Sequence, residues 1–382
     1  MGMLNDYRVS VKCRNLAVVA IACVVAIHSN ALITEENSPR WMYLLCDVLF
    51  GKLTCWAVPF FFAASGCWFG LRECSKGKAF VLSHFYLKKF RSLVVPYALF
   101  VLLGFVSSIP LAYMQGVKHG DGLLSHITLT WDVFGVTELL PHGNGPMWYL
   151  RSLIILFILA PVWRVLALKA KWLLLPMACL ALVTPPLIIN GVIPFRLGQS
   201  SFFFLGLFLS QFKTIYKKHM RTSVVFGIAA IVMITYTVYD GGVGLMVSGV
   251  LPYIMLVFVW TSYDVIVATR VASPSWVSRY VFWIFGVHII FLNWMLPPVR
   301  AVIHSPYALA GMTLVFGTFA FVAALISAVV VERTNRRLYA ILGSSGIGVG
   351  WFMPPPELLA LCLWPFERCR KATESVCWSR TA

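Results

Sequence analysis

The chain has 382 residues, 60% of them hydrophobic and only 12% charged, and so much apolar surface exceeds what the core of a water-soluble globule can hide. A net charge of +17 raises the question of a nucleic-acid partner, but the basic residues stand in short clusters between apolar runs, as inner loops of membrane proteins do. Composition thus excludes a soluble enzyme, argues against nucleic acid, and leaves an all-α polytopic membrane protein.

About 20 apolar residues cross the hydrocarbon at ~1.5 Å per residue. That ruler predicts ten spans, at approximately 15–33, 54–71, 93–114, 146–166, 172–190, 200–212, 222–239, 244–263, 280–298 and 308–331. With the N-terminus inside, all but six of the 31 Lys and Arg residues fall on the inner face. The six are Arg40, Lys52, Lys118, Arg151, Arg196 and Arg300, and the asymmetry predicts an N-in, C-in topology.

The first span follows Arg8, Lys12 and Arg14 and contains His28. An ionisable group in hydrocarbon costs roughly 2.5–3.5 kcal/mol when charged at a helix centre, so it marks a functional candidate. Arg14 and His28 are 14 positions apart, about 21 Å along a helix and within roughly 40° of one face, so both can look into one cavity. Structural readings stand beside this one: Arg14 as an inner-face anchor and His28 as a hydrogen-bonded packing residue. Ser29-Asn30-Ala31 has the small residues of a signal-peptidase site, but the span's length and its His favour a retained anchor.

Residues 41–53 mix Trp41, Tyr43, Asp47 and Lys52 with apolar residues, the composition of an interfacial helix leading into the second span. The ten Cys form no CxxC or Cys/His zinc pattern; Cys46 and Cys55, both near the outer side, are read as packing residues ahead of a disulfide. The second span ends in Ser65-Gly66, small residues that permit close helix approach. Lys88, Lys89 and Arg91 then form a basic cluster before the third span, suited to phosphate groups and equally to a plain inner loop.

The outer loop from Gln115 to Gly145 holds His119, His126, His142, Asp121, Asp132 and Glu138 at no metal-site spacing, so no metal is expected. Trp148, Tyr149 and Arg151 open the fourth span; an Arg at an outer end needs a polar partner, and the two aromatics beside it resemble pocket walls. His288 is a second intramembrane imidazole. The membrane domain is expected over 1–342, and 343–382, with its Gly/Ser and Pro-rich stretches, as an interfacial or disordered cytoplasmic tail.

In order along the chain, several segments resemble membrane acyltransferase family 3, the O-acetylase type of bacterial cell envelopes. They are Arg14 to His28, Val58 to Gly66, Lys88 to Tyr97, Trp148 to Arg151 with Pro161, Phe204-Leu-Gly206, Phe282 to His288, and Arg333 to Gly343. The resemblance implies about ten membrane helices in a bacterial inner membrane and no bound cofactor. It also implies an acyl-CoA donor taken from the cytoplasm and a hydroxyl acceptor on a sugar or envelope glycan. It places activity on Arg14 and His28, and the family's loop arginines on Lys88 and Arg91. Two departures stand out. Thirteen residues separate Arg14 from His28 where ten are usual, lengthening the gap from about 16.5 to about 21 Å. Lys88 replaces an Arg, keeping the charge but losing bidentate contact.

Acyl transfer to an alcohol needs a base, here His28, with acyl-His formation as an alternative. Lys88, Lys89 and Arg91 are expected to bind the donor, and Trp148, Tyr149, Arg151 and His288 the acceptor. The competing reading is a secondary transporter or flippase using His28, Arg151 and His288 as a path without covalent chemistry; no repeat between the halves favours it.

Overall fold

The computed structural model describes residues 2–74, 80–114, 145–183, 197–212, 220–239, 245–266 and 275–342, and every regular element among them is helical. The loop over 115–144, with its His and acidic residues, and the tail over 343–382 lie outside the described residues. The helices are α1 (Gly2–Ser29), α2 (Arg40–Cys46), α3 (Ala57–Glu73), α4 (Leu82–Lys89), α5 (Val95–Met114), α6 (Trp148–Ile158) and α7 (Ala160–Lys169). They continue as α8 (Leu174–Val183), α9 (Leu197–Leu209), α10 (Met220–Tyr239), α11 (Leu245–Ile266), α12 (Val281–Val302), α13 (Pro306–Thr334) and α14 (Arg336–Leu342).

Each expected span coincides with a helix, but not every one is long enough to cross a bilayer. Among the described residues seven helical runs have the length and apolarity to do so: Val9–Ser29, Arg40–Glu73, Leu82–Pro110, Met220–Tyr239, Gly249–Ile266, Trp276–Leu296 and Pro306–Thr334. Gly145–Ile158 and Ala160–Lys169 form an eighth if their 63° bend lies within one span. Pro161 in the first turn of α7 explains that bend: it has no N–H and cannot continue the ladder of α6. Lys171–Leu180 and Ser200–Leu209 are shorter apolar helices.

Two boundaries moved for physical reasons. The interfacial helix expected at 41–53 runs on through wide turns at Asp47–Lys52 towards α3. The third span begins at Leu82 instead of residue 93, because wide turns at Phe90–Val94 join α4 to α5. The basic cluster therefore sits on a helix and not in a loop.

α1 threads the bundle, packed against α3, α12 and α13. Its Ala17, Ala20, Ile21, Val24 and Val25 are buried, whereas Val19 on another face is exposed. α12 runs parallel to α1: the Ser275 backbone N–H, just before the turn that leads into α12, donates to Asn15 Oδ1 at 2.8 Å, and His28 meets His288 further along. Asn15 to His28 and Ser275 to His288 are equal steps along the chain, the second through a 3-10 turn at Trp276–Tyr280 into α12, so the two segments stay in register over about 20 Å. α13 returns antiparallel, with Trp283 Nε1 donating to Ser327 Oγ at 3.0 Å and Tyr280 donating to Glu332.

α3 and α9 pack by mutual close approach. A Cβ at Gly66 would lie 2.0 Å from the Phe203 carbonyl oxygen, and one at Gly206 would lie 2.0 Å from that of Ala63. Gly70, one turn beyond Gly66, meets the Ser210 side chain and not a backbone carbonyl, so the small residue expected at Gly66 is one step of a Gly-xxx-Gly seam. α11 is pinned to α1 by polar contacts: Lys12 Nζ lies 2.6 Å from Asp264 Oδ2 and 3.7 Å above the Trp260 ring, and Asn15 Nδ2 donates to the Tyr263 hydroxyl at 2.9 Å. Cys46 and Cys55 are free thiols.

Candidate active site

His28 ends α1 half-buried, and its ring centre lies 5.4 Å from that of His288, with the planes inclined by 42°. His288 is completely buried on α12, and its Nδ1 lies 3.0 Å from both the Ile284 and Phe285 carbonyl oxygens. Residues 260 positions apart in the chain thus form one imidazole pair inside the bundle.

The pair continues into an aromatic wall. Phe285 lies 6.2 Å from His288 and 5.5 Å from buried Tyr149, whose ring also meets Phe62 edge-on at 4.7 Å. The Tyr149 hydroxyl lies 3.5 Å from Ser65 Oγ, and Trp148 flanks Phe62 at 6.2 Å. The structure therefore gathers His28, His288, Tyr149, Trp148 and Ser65 around one region, joining four sequence segments. Arg151, one turn after Trp148, is half-buried on the same helix.

The other end of α1 is basic. Cys13 packs beside Ala64 and Trp68 of α3, so α3 runs antiparallel to α1 and brings Arg72 and Glu73 to the end that carries Lys12 and Arg14. Arg14 is half-buried there. Lys88 and Arg91 are exposed, whereas Lys89 is buried with its ammonium 3.8 Å above the Phe157 ring. Arg72 stacks over Trp68 at 5.4 Å, and Arg164 donates to the Glu73 carbonyl at 2.8 Å while lying 5.1 Å from the Phe80 ring.

Sequence reasoning missed Arg72 and Arg164 as members of this basic face, having counted them only as inner-loop charges. The Lys12–Asp264 pair and the Asn15 pin were also missed. An acidic residue and a basic residue near the ends of two predicted spans was the available signal. Among the described residues no three His, Cys, Asp or Glu side chains converge as a metal site.

The fold and these groups define a multi-pass helical membrane protein with a pair of imidazoles embedded at one level and a basic face at the other. Over residues 16–333 the chain matches the model of acyltransferase family 3, described as an acyltransferase domain, and it belongs to that family. The match includes His28, His288, the Trp148 to Arg151 segment and the Lys88 to Arg91 cluster, and it begins just after Arg14. No curated protein and no solved structure matches the chain.

Proposed function

We propose that this membrane acyltransferase moves an acyl group, acetyl by preference, from cytoplasmic acyl-CoA to a hydroxyl of a sugar or envelope glycan, with His28 as general base. The observation that carries the reading is the His28–His288 pair: two imidazoles 5.4 Å apart inside a family-3 acyltransferase bundle. Family membership favours covalent transfer over the transport reading. We take the chain to lie N-in and C-in in a bacterial inner membrane.

Exposed Lys88 and Arg91 bind the donor's phosphates, while Lys89, expected to join them, is buried over the Phe157 ring and contributes its charge from behind. Arg14 guides the donor arm along the about 21 Å to His28. Trp148, Tyr149 and Arg151 form the acceptor wall, with His288 at its edge beside His28. His28 takes the acceptor's hydroxyl proton, the oxygen attacks the thioester carbonyl, and the C–S bond breaks. The thiolate then leaves with the proton that His28 carried. Such base catalysis contributes about 10² to 10⁴-fold in rate. No resident cofactor enters this scheme.

The test is transfer of label from acetyl-CoA into lipid and glycan fractions of membranes, comparing the native chain with His28→Ala at matched expression. Incorporation lost in the variant supports the reading and exposes the acceptor fraction. Equal incorporation in both removes His28 as the catalyst.

A further inference from the structure

His288 has a defined tautomer. Its Nδ1 faces two carbonyl oxygens, those of Ile284 and Phe285, each at 3.0 Å, and carbonyl oxygens only accept. The ring proton therefore resides on Nδ1, and Nε2 carries a lone pair. That Nε2 is buried and has no hydrogen-bond partner. A buried acceptor without a donor is unfavourable, so this lone pair is a place where a neighbouring N–H would be held.

The neighbouring imidazole is His28, with ring centres 5.4 Å apart. With ring centres at that separation, edge nitrogens that both point along the line of centres lie about 3 Å apart, which is hydrogen-bond range. His288 itself has little freedom to move away. A Cβ at Gly286 would lie 2.4 Å from the Phe100 ring, so α12 is pressed against α5 two residues before His288.

We propose that His288 is a positioning residue whose Nε2 accepts the N–H of His28, holding the lone pair of the opposite His28 nitrogen towards the acceptor hydroxyl. This inference rests on the general-base role given to His28 above. The proton balance is simple. The hydroxyl proton moves to the free nitrogen of His28 as the new C–O bond forms, and the departing thiolate takes it back as the C–S bond breaks. His288 keeps its Nδ1 proton throughout and steadies the imidazolium of His28 through Nε2. Two main-chain carbonyls thus orient one imidazole, and that imidazole orients the next.

Two substitutions separate this role from a packing role. His288→Asn retains an amide N–H near the Nδ1 position and can still bind the Ile284 and Phe285 carbonyls, but it has nothing at the Nε2 position. His288→Gln can place its amide oxygen where Nε2 stands. Initial rates are measured on full-length protein with labelled acetyl-CoA and native membranes as the acceptor source, normalised to the monodisperse fraction so that misfolded protein does not count.

The expected result is that His288→Asn lowers kcat about 10²-fold or more with KM for acetyl-CoA within about threefold, while His288→Gln keeps kcat within about tenfold. If Asn matches or exceeds Gln, or if the loss appears in KM, His288 is a packing or binding residue and the inference is overturned. Native protein that transfers no label from any acyl-CoA overturns the proposed function first, and this inference with it.

Discussion

Gly66→Ala is the sharpest test of how the bundle holds its site. The added methyl would sit 2.0 Å from the Phe203 carbonyl oxygen and 3.0 Å from the Leu207 nitrogen, whereas ordinary contacts begin at 3.4 Å. The obstacle is backbone, so no side-chain rotation relieves it and α3 must part from α9 by about 1.4 Å at this level. A gap of about 0.5–1 Å already forfeits a quarter to a half of the dispersion attraction between the facing atoms. Overpacking of this kind costs about 2–3 kcal/mol, the upper part of its usual range, and the gain in helix propensity returns about 0.5–1 kcal/mol. A net loss of about 1–2.5 kcal/mol follows. Gly311→Ala is the control, because nothing lies within 4 Å of its added methyl and only the propensity gain remains. Thermal unfolding in detergent, followed by tryptophan fluorescence, is expected to place Gly66→Ala several degrees below Gly311→Ala. Gly206→Ala should act with the same sign, and the Gly66/Gly206 double variant should lose less than the sum, since one opening relieves both clashes. Equal unfolding midpoints for Gly66→Ala and Gly311→Ala would refute the reasoning.

Asp264→Ala leaves the buried Lys12 ammonium without its 2.6 Å carboxylate, and a loss of about 1.5–3 kcal/mol in stability is expected from one charged hydrogen bond. The double variant Lys12→Met/Asp264→Leu should recover most of it, because apolar replacement removes the stranded charge; a double variant no better than Asp264→Ala in thermal unfolding counts against the pair. On the donor side, Lys88→Ala combined with Arg91→Ala should raise KM for acetyl-CoA about tenfold at low salt, with a smaller ratio at high salt as exposed charges are screened. An unchanged KM removes both residues from donor binding.

Much of this architecture was legible in one dimension, and the parts that were not share a cause. Each of the ten apolar runs coincides with a helix, because in hydrocarbon a backbone must satisfy itself, but only seven helical runs among the described residues have the length to cross. Lengths were less legible. Lys88 to Arg91 looked like a loop because charge reads as water, yet these residues lie on a helical run that buries Lys89 against Phe157 and leaves Lys88 and Arg91 exposed. Pro161 was visible, but whether a proline kinks a span or divides it into two helices at 63° depends on what packs around it. Gly66 was legible as a small residue; its partner Gly206 was not, since sequence shows which helix offers a close face and not which helix accepts it.

The same limit applies to the site, and the way the fold overcomes it explains why the site has two ends. His28 and His288 were each recognisable as intramembrane imidazoles, but their pairing depends on α1 and α12 running parallel and in register. Asn15 supplies that register by accepting the Ser275 N–H and donating to Tyr263, so one side chain locks three helical segments at the basic end. Equal helical advance then brings the imidazoles together about 20 Å away. In the proposed function the polar pins lie at the end that receives the donor's phosphates, and the imidazole pair lies at the other. A donor that satisfies both ends needs a charged head and a long flexible arm with its reactive carbon at the tip, which is the form of an acyl-CoA. The register between α1 and α12 is therefore as much a part of the proposed catalytic apparatus as His28 itself, and a substitution at Asn15 belongs among the changes that reach His28 without touching it.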